Sequence, residues 1–470
     1  MLFNSFEFLL FLPTVFVLYW FVFDKNLKIQ NSLLLVSSYV FYGWWDYRFL
    51  SLILLSTIVD YFIGLKIPMA DSKKDQKLLL WCSILLNLGV LGFFKYYNFF
   101  VDSWVDLFSS FGYEIQSIWT LNIILPVGIS FYTFQTMSYT IDIYKEKLEP
   151  TKDFISSASF VSFFPQLVAG PIERASNLLP QILKKREFKH EQGFQGLRLI
   201  FWGMFKKVVI ADSLATAVDP IFNNYNDLAG FTLWLGAIYF AFQIYCDFSG
   251  YSDIAIGTSK LFGFELMSNF KFPYFSRNIG EFWRRWHISL STWFRDYLYI
   301  PLGGSQEGKL KSIRNIFLIF LVSGFWHGAN WTFIFWGFFH SILFIPSFIQ
   351  STNRKYKASI IGENTKLPSA RELIQVLITF LLITIGWVFF RSSTLEDSFK
   401  YILNMTWDFD TIYFNKIPLL ILLIFFEWKF RFCEREIYGK LKKRLLYDII
   451  IIFLLIGYFT NNKAFIYFNF

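Results

Sequence analysis

Long apolar runs recur along the whole chain, separated by short segments that hold most of its charged residues. Most runs approach the roughly 20 residues that a helix needs to cross the apolar core of a bilayer. Because lipid offers no hydrogen-bond partner to an open backbone, we expect all of them to be helical. The runs are residues 6–23, 31–45, 49–65, 78–94, 119–141, 195–218, 231–248, 315–349, 372–390, 413–430 and 448–468.

Two apolar stretches do not fit a simple span. Residues 154–172 lie between basic segments and contain two prolines and a glycine near their end, which predicts a re-entrant segment or broken hairpin. Residues 315–349 would make a continuous helix of about 50 Å, much longer than a bilayer core is thick. We therefore expect a helical hairpin that bends between Gly328 and Ile345.

A third stretch, residues 247–304, mixes glycine, serine, aspartate and arginine with aromatic residues and cannot face lipid as a spanning helix. It should line a cavity or lie at the membrane interface. Polar residues recur in it three or four positions apart, as on one face of a helix: Arg284, His287, Ser291 and Arg295. The opposite, apolar face consists of Trp286, Leu290, Trp293 or Phe294, and Tyr297.

Two interpretations of this polar face are open. The arginines of an interfacial amphipathic helix would extend to lipid headgroups. Guanidinium groups that face a cavity would instead bind the phosphates of a cytoplasmic ligand. The periodicity is compatible with both.

The composition indicates an integral membrane protein, because 55% of the residues are hydrophobic and only 17% are charged. We expect an all-α polytopic protein with about 10–12 transmembrane helices and additional re-entrant or interfacial helices. The net charge of +9 does not indicate nucleic-acid binding, since the lysines and arginines cluster in loops between apolar runs. Those basic loops predict the cytoplasmic face, and the alternation places both termini outside.

His327 is one of only four histidines and lies in an apolar stretch without charged residues from Ile316 through Pro346. An ionisable residue at such a position indicates a functional site, with a neutral imidazole bonded to Ser or Asn across a helix interface as the structural alternative. A neutral imidazole accepts a proton from a hydroxyl that attacks an acyl carbonyl. We interpret His190 and His340 as structural.

Asp247 and Asp253 are predicted to be buried carboxylates that pair with arginines, or that orient a histidine. The chain contains no Walker A loop, GxSxG elbow, HExxH pair or cysteine-rich metal pattern, so the common soluble hydrolase and NTPase chemistries have no support. We expect no bound metal or cofactor.

Seven motifs occur in order along nearly the whole chain. They are SFYTFQTMSYTIDIYK from Ser130, SFFPQLVAGPIER from Ser162, FKKVVIAD from Phe205, DFSGYSDIAIG from Asp247, FWRRWHISLSTWFRDYLYIPLGG from Phe282, SGFWHGANWTFIFWG from Ser323, and FIYFNF at the C-terminus. With these motifs the chain resembles the membrane-bound O-acyltransferase (MBOAT) family. The resemblance is to its bacterial branch, which includes the alginate O-acetylation protein, the PatA-type peptidoglycan O-acetyltransferases and the D-alanyl transfer protein of teichoic acids.

The resemblance implies that His327 is the catalytic histidine inside a membrane-crossing tunnel and that His287 is the second histidine of the family pattern. It further implies a cytoplasmic acyl thioester donor, acetyl-CoA or a D-alanyl-loaded carrier protein, and one transmembrane domain over residues 1–470 with a catalytic core at about 120–350. Beside the two histidines, we expect donor-binding or tunnel-lining roles for Arg284, Arg285, Ser291, Arg295, Asp247, Asp253, Trp326 and Asn330.

The family resemblance also implies a place and a partner. The protein would be a multi-pass protein of the bacterial cytoplasmic (inner) membrane. It would pass acetyl groups to a separate extracytoplasmic SGNH-type transferase or esterase, which modifies alginate-like exopolysaccharide or peptidoglycan. The alternative from the residues alone is a transporter with a proton relay through His327, His287 and Asp253. A bare scaffold is a third hypothesis, and it predicts that both histidines are dispensable.

Overall fold

The computed structural model describes residues 1–113, 119–357, 359–363, 367–409 and 413–432. The predicted run at 448–468 and the C-terminal FIYFNF motif lie outside these ranges. Within the described residues every regular element is helical and no strand occurs. The all-α class that the apolar runs predicted is therefore confirmed.

The chain forms two compact units, of which the first comprises Met1–Gly193 and Ser259–Leu266. Its helices are α1 (Phe6–Val17), α2 (Leu27–Asp46), α3 (Leu50–Lys66), α4 (Lys73–Leu91), α5 (Tyr97–Ser110), α6 (Ile129–Tyr144), α7 (Phe154–Ser162) and α8 (Ala175–Ile182).

The second unit comprises the described residues of Phe194–Thr258 and Met267–Phe470. Its helices, two of which extend past a unit boundary, are α9 (His190–Met204), α10 (Asp212–Asn223), α11 (Gly230–Leu261), α12 (Ile279–Arg285), α13 (Ile288–Phe294), α14 (Lys309–His327), α15 (Trp331–Ile349), α16 (Ala370–Arg391), α17 (Leu395–Leu403) and α18 (Ile417–Phe430). The expectation of a single transmembrane domain stays a prediction.

Five helical stretches of the described chain are long and apolar enough to cross a membrane, which confirms a polytopic membrane protein. A shorter apolar helix covers Phe6–Val22. The five stretches are Leu27–Met69, Lys73–Ser110, Gly230–Leu261, Trp331–Ile349 and Ala370–Arg391.

Helices α14 and α15 form the predicted hairpin, and the chain bends at residues 328–330. Two glycines hold its arms together: a Cβ atom at Gly324 would lie 2.2 Å from the carbonyl oxygen of Phe333, and one at Gly337 would lie 2.2 Å from that of Phe320. Only glycine permits so close an approach of two backbones. The hairpin therefore holds His327, the last residue of α14, in a fixed position at its bend.

Other boundaries differ from those that the apolar runs predict. Residues 154–172 are broken as predicted, because α7 is a nine-residue helix followed by turns and is too short to cross a bilayer. The run at 119–141 becomes helical only at Ile129. Helix α11 is longer than the apolar run at 231–248, because its 32 residues continue from Gly230 to Leu261 and include the start of the stretch 247–304. Its later half is buried in protein, so its polar residues do not meet lipid.

Candidate active site

The predicted continuous helix from Arg284 to Arg295 is in fact two seven-residue helices with a bend between them. The side chain of Asn278 caps the start of α12 by accepting a hydrogen bond from the backbone of Glu281. The chain becomes extended at Trp286 and left-handed at His287, where φ is +43°. A positive φ is uncommon for a residue other than glycine and marks a position that tertiary contacts enforce.

Those contacts come mainly from Asn269. Its carbonyl oxygen accepts the backbone N–H of Ile288 at 2.9 Å. Its side-chain Oδ1 accepts the backbone N–H of Ser289 at 3.3 Å and the Ser289 hydroxyl at 2.7 Å. Nδ2 of Asn269 donates to the hydroxyl of Ser252 at 3.1 Å. The amide is therefore fixed in orientation by partners on two sides.

The same amide determines the tautomer of His287. Nδ1 of His287 lies 3.2 Å from Oδ1 of Asn269. A backbone N–H only donates, so the Asn269 atom that meets Ser289 is the oxygen, and Nδ1 of His287 must carry the hydrogen. The lone pair of the imidazole is then on Nε2, which is the atom available as a base.

His287 is buried, with 1% of its surface exposed, although the bend lies outside every helix that is long enough to span the membrane. Burial lowers the pKa of His287 from 6.5 to about 3, because the charged form loses its hydration. The imidazole is consequently neutral at pH 7.

His327 lies close to His287, and their ring centroids are 6.4 Å apart. Its ring is buried among aromatic side chains: Trp326 at 5.0 Å, Trp336 at 5.1 Å and Phe390 at 5.3 Å between centroids. Trp326 also contacts the ring of His287 at 5.8 Å. The bend between α12 and α13 and the bend of the hairpin thus bring the two histidines together.

Both histidines line a cavity of about 230 Å³ within the second unit. Its inner end contains the buried side chains of His287, His327 and Ser323 and the half-buried side chain of Trp283. Its outer end has exposed or half-buried polar side chains: Arg295, Tyr299, Ser305, Asn353 and Arg354. The wall between them is apolar apart from Ser291 and consists of Leu290, Phe294, Ile316, Ile319, Phe320, Phe344 and Phe348.

The cavity separates the predicted site residues into two groups. His287, His327, Ser291 and Arg295 line it. Leu290 and Phe294 of the predicted apolar face line it as well, because the bend at His287 turns α13 toward the cavity. The separation of a polar and an apolar face was therefore wrong.

Arg284 and Arg285 do not line the cavity. Nη1 of Arg284 donates to the backbone carbonyl of Asn353. Arg285 forms an ion pair with Glu281 at 2.8 Å and donates to the carbonyl of Lys271 at 3.1 Å. Both guanidinium groups bind protein atoms outside the cavity and stabilise the segments around it.

Asp247 and Asp253 pair with lysines, which corrects the prediction that they pair with arginines or orient a histidine. Lys207 lies 2.7 Å from Asp247 and 2.9 Å from Asp212, and Lys206 lies 2.5 Å from Asp253. The two lysines are in a π-helical segment, Phe205–Ala211, and both side chains are buried. These pairs hold α11, whose Phe248 packs on the ring of His287 at 4.7 Å.

Asn330 caps the start of α15 by accepting a hydrogen bond from the backbone of Thr332, and its Nδ2 donates to the carbonyl of Ser393. Trp326 is a packing neighbour of both histidines and is absent from the cavity lining. Within the described ranges, no group of three or more His, Cys, Asp or Glu side chains is arranged to hold a metal ion.

The sequence did not mark several residues of the site, among them Asn269, Trp283 and Arg354. Asn269 had no periodic partner and contacts His287 only through the fold. Nothing in the sequence pattern distinguished Trp283 from the many other aromatic residues. Arg354 had one signal in the sequence: it is a cation just after an apolar hairpin, a position that suits contacts with ligand phosphates and with lipid headgroups alike.

Comparison with known proteins relates this chain to a family. The sequence profile of the membrane-bound O-acyltransferase (MBOAT) family matches residues 81–389, which include both histidines. The chain is 44% identical to a probable alginate O-acetylase of Pseudomonas syringae pv. tomato, over 84% of this chain and 73% of that protein. It is 38% identical to a peptidoglycan O-acetyltransferase of Helicobacter pylori, over 86% and 80% respectively. A teichoic acid D-alanyltransferase of Bacillus subtilis is 30% identical over 57% and 69%.

Proposed function

Because this chain belongs to the membrane-bound O-acyltransferase family, we propose that it transfers acetyl groups from a cytoplasmic thioester, acetyl-CoA, toward hydroxyl groups of an extracytoplasmic polysaccharide. The acyltransferase activity follows from the family and from relatives named for O-acetylation. The donor, the direction of transfer and the acceptor are the proposed part. The acceptor class is an alginate-like exopolysaccharide or peptidoglycan.

The observation that carries the proposal is one cavity that joins exposed arginines to two buried imidazoles. Phosphate groups of CoA would bind Arg295 and Arg354 at the outer end, since guanidinium groups are well suited to phosphate oxygens. The uncharged pantetheine arm would lie along the phenylalanine-rich wall. The thioester would then reach the inner end, beside His287 and His327.

The inner end supplies base catalysis. In the transfer step, the neutral imidazole of His327 takes the proton of an acceptor hydroxyl while the hydroxyl oxygen attacks the thioester carbonyl carbon. The carbon–sulfur bond breaks, and the CoA thiolate receives the proton from the imidazolium. The products are an O-acetyl ester, CoA as the thiol, and a neutral histidine. His287, with Nε2 as its basic nitrogen, supports this proton transfer from the adjacent position.

Three further points belong to the proposal. Basic loops on the predicted cytoplasmic side favour donor entry from that face. An SGNH-type transferase or esterase would receive the acetyl group on the other side of the cytoplasmic membrane. Acetyl is favoured over D-alanyl because the relatives named for O-acetylation match at 38–44% identity over most of the chain, against 30% for the D-alanyltransferase.

The test is the O-acetyl content of the envelope in cells whose only copy of the protein carries His327→Ala. We expect a loss of at least about 100-fold, the usual contribution of a general base, with unchanged protein abundance. His190→Ala is the matched control, since His190 is exposed at the start of α9 and does not line the cavity. Normal O-acetylation in the His327 variant would contradict the proposal and favour the scaffold hypothesis.

The transporter hypothesis has a separate readout. Purified protein in liposomes should release CoA from acetyl-CoA when an acceptor is supplied, and His327→Ala should abolish that release. Proton-coupled flux without any acetyl-CoA turnover would favour the transporter instead.

A further inference from the structure

The outer end of the cavity includes part of a short segment outside the long apolar helices, residues 352–356, which we name the rim segment. Asn353 and Arg354 of this segment line the cavity. Arg354 is exposed, and its guanidinium group makes no ion pair and no hydrogen bond with any described residue. Arg295, the other arginine of the outer end, already binds Asp296 at 2.7 Å. Arg354 is therefore the guanidinium group at this end that is most available to an anion.

The position of the rim segment is determined by α12 and the residues before it. Arg284 donates to the carbonyl of Asn353, and Asn278 donates to the carbonyl of Thr352 at 3.4 Å. At Gly280 the two backbones touch: an added Cβ atom would lie 2.8 Å from Cα and 3.0 Å from the carbonyl oxygen of Asn353. Any side chain at position 280 must displace the rim segment or α12, because real Cβ atoms do not approach backbone atoms so closely.

Arg277 holds the far end of the segment. Its guanidinium group lies 3.8 Å from the ring centroid of Tyr356 and donates to the carbonyl of Ser359 at 3.0 Å. Arg277 is itself fixed by ion pairs with Glu281 at 3.0 Å and Glu372 at 2.9 Å. Since Arg277 is buried and each of these partners is in place, the contact is a rigid anchor.

We propose that Arg277, Gly280 and Arg284 are positioning residues, which hold the rim segment so that Arg354 meets the phosphate groups of the acyl donor. The inference rests on the proposed function in one respect, that the cavity is the donor site. It assigns Arg284 a different task from the donor binding that was expected of it. Arg284 and Arg277 build the phosphate site and do not touch the donor.

The proposal separates phosphate-bearing from phosphate-free ligands. A displaced rim segment would weaken binding of CoA, because one guanidinium–phosphate interaction would be lost. It would leave binding of pantetheine unchanged, since pantetheine has the same thiol arm and no phosphate. A variant that merely loosens the fold would weaken both ligands alike.

The experiment measures the dissociation constants of CoA and of pantetheine for the full-length protein purified in detergent. We expect Gly280→Ala to weaken CoA binding about 5- to 20-fold, since one charged contact is lost and its exposure to solvent reduces its strength, with pantetheine binding within a factor of two. Gly89→Ala is the matched control, because Gly89 is a helical glycine with no atom within 4 Å of an added Cβ. That control should change neither constant.

Two further variants make the result decisive. Arg284→Met removes the donor to Asn353 without adding bulk, and it should reproduce the Gly280→Ala pattern if the latter fails to fold. The double variant Gly280→Ala with Arg354→Gln should bind CoA no more weakly than Arg354→Gln alone, since both changes remove the same contact. Unchanged CoA binding in Gly280→Ala and Arg284→Met, or equal weakening of CoA and pantetheine, would overturn the proposal.

Failure of the proposed function gives a different result. If the unmodified protein binds neither CoA nor pantetheine, the donor assignment is wrong and the positioning role falls with it. If the unmodified protein binds CoA and Arg354→Gln weakens that binding while the α12 variants do not, the donor site stands and only the positioning role is refuted.

Discussion

The two ends of the cavity contrast in nearly every physical property. The inner end is buried and aromatic, and its two imidazoles are held by fixed neighbours such as Asn269. The outer end is exposed and cationic, and it includes Arg354 on a segment outside the long helices. A buried neutral base suits proton transfer, whereas an exposed guanidinium group suits reversible binding of an anion. Chemistry and donor affinity are therefore assigned to different ends of one cavity.

The largest effect is expected at the inner end. His287→Ala should lower kcat by about 100- to 10,000-fold, the usual range for a residue that takes part in proton transfer, while donor affinity stays within a factor of two. Release of CoA from acetyl-CoA, measured with saturating acceptor, gives kcat, and direct binding of CoA gives the affinity. If His287→Ala keeps kcat and loses donor affinity, the inner end binds the donor and the assignment of chemistry to that end is wrong.

A smaller effect on kcat is expected at Asn269, which contacts His287 but does not line the cavity. Asn269→Leu removes the acceptor for Nδ1 of His287, so the wrong tautomer becomes populated and kcat should fall about 10- to 100-fold. Asn269→Asp keeps an acceptor but places a carboxylate beside the ring, which raises the pKa of His287 above its value of about 3.

The pH dependence of activity distinguishes Asn269→Asp from the unmodified protein. A base must be neutral to accept a proton, so activity of Asn269→Asp should fall as the pH drops through the raised pKa of His287. The unmodified protein should show no such loss from His287 between pH 5 and 8. Identical pH profiles for the two proteins would show that Asn269 does not act through His287.

The smallest effect is expected at the outer end. Arg354→Gln should raise the KM for acetyl-CoA about 5- to 20-fold with little change in kcat, because one guanidinium–phosphate contact is lost. Arg295→Gln should raise it less, since Arg295 already binds Asp296. The effect of Arg354→Gln should shrink at high salt, which screens an exposed interaction. An equal effect at low and high salt would argue against a charge contact.

Much of this arrangement follows from the sequence, and the part that does not has a physical reason. Hydropathy predicts the helices and the hairpin because lipid imposes span length and internal hydrogen bonding. The isolation of His327 in an apolar stretch marks the position that lines the inner end. His287, Ser291 and Arg295 are likewise found by their spacing.

The bend at His287 was not predictable from periodicity. A left-handed residue other than glycine leaves no mark in the hydrophobic pattern, and here the bend depends on Asn269, which precedes it by 18 positions. The sequence does not predict the pairing of Lys206 with Asp253 either, since no local rule selects lysine over arginine as the partner of a buried carboxylate. Tertiary contacts determine which of the nearby arginines line the cavity and which bind protein atoms outside it.

The most direct test of the central claim is an experimental structure of the full-length protein with CoA bound. The account predicts the thiol sulfur at the inner end, beside His287 and His327, and the phosphate groups at the outer end, in contact with Arg354. CoA bound elsewhere, or bound with its phosphates against Arg284 and Arg285 and its thiol remote from both histidines, would contradict it.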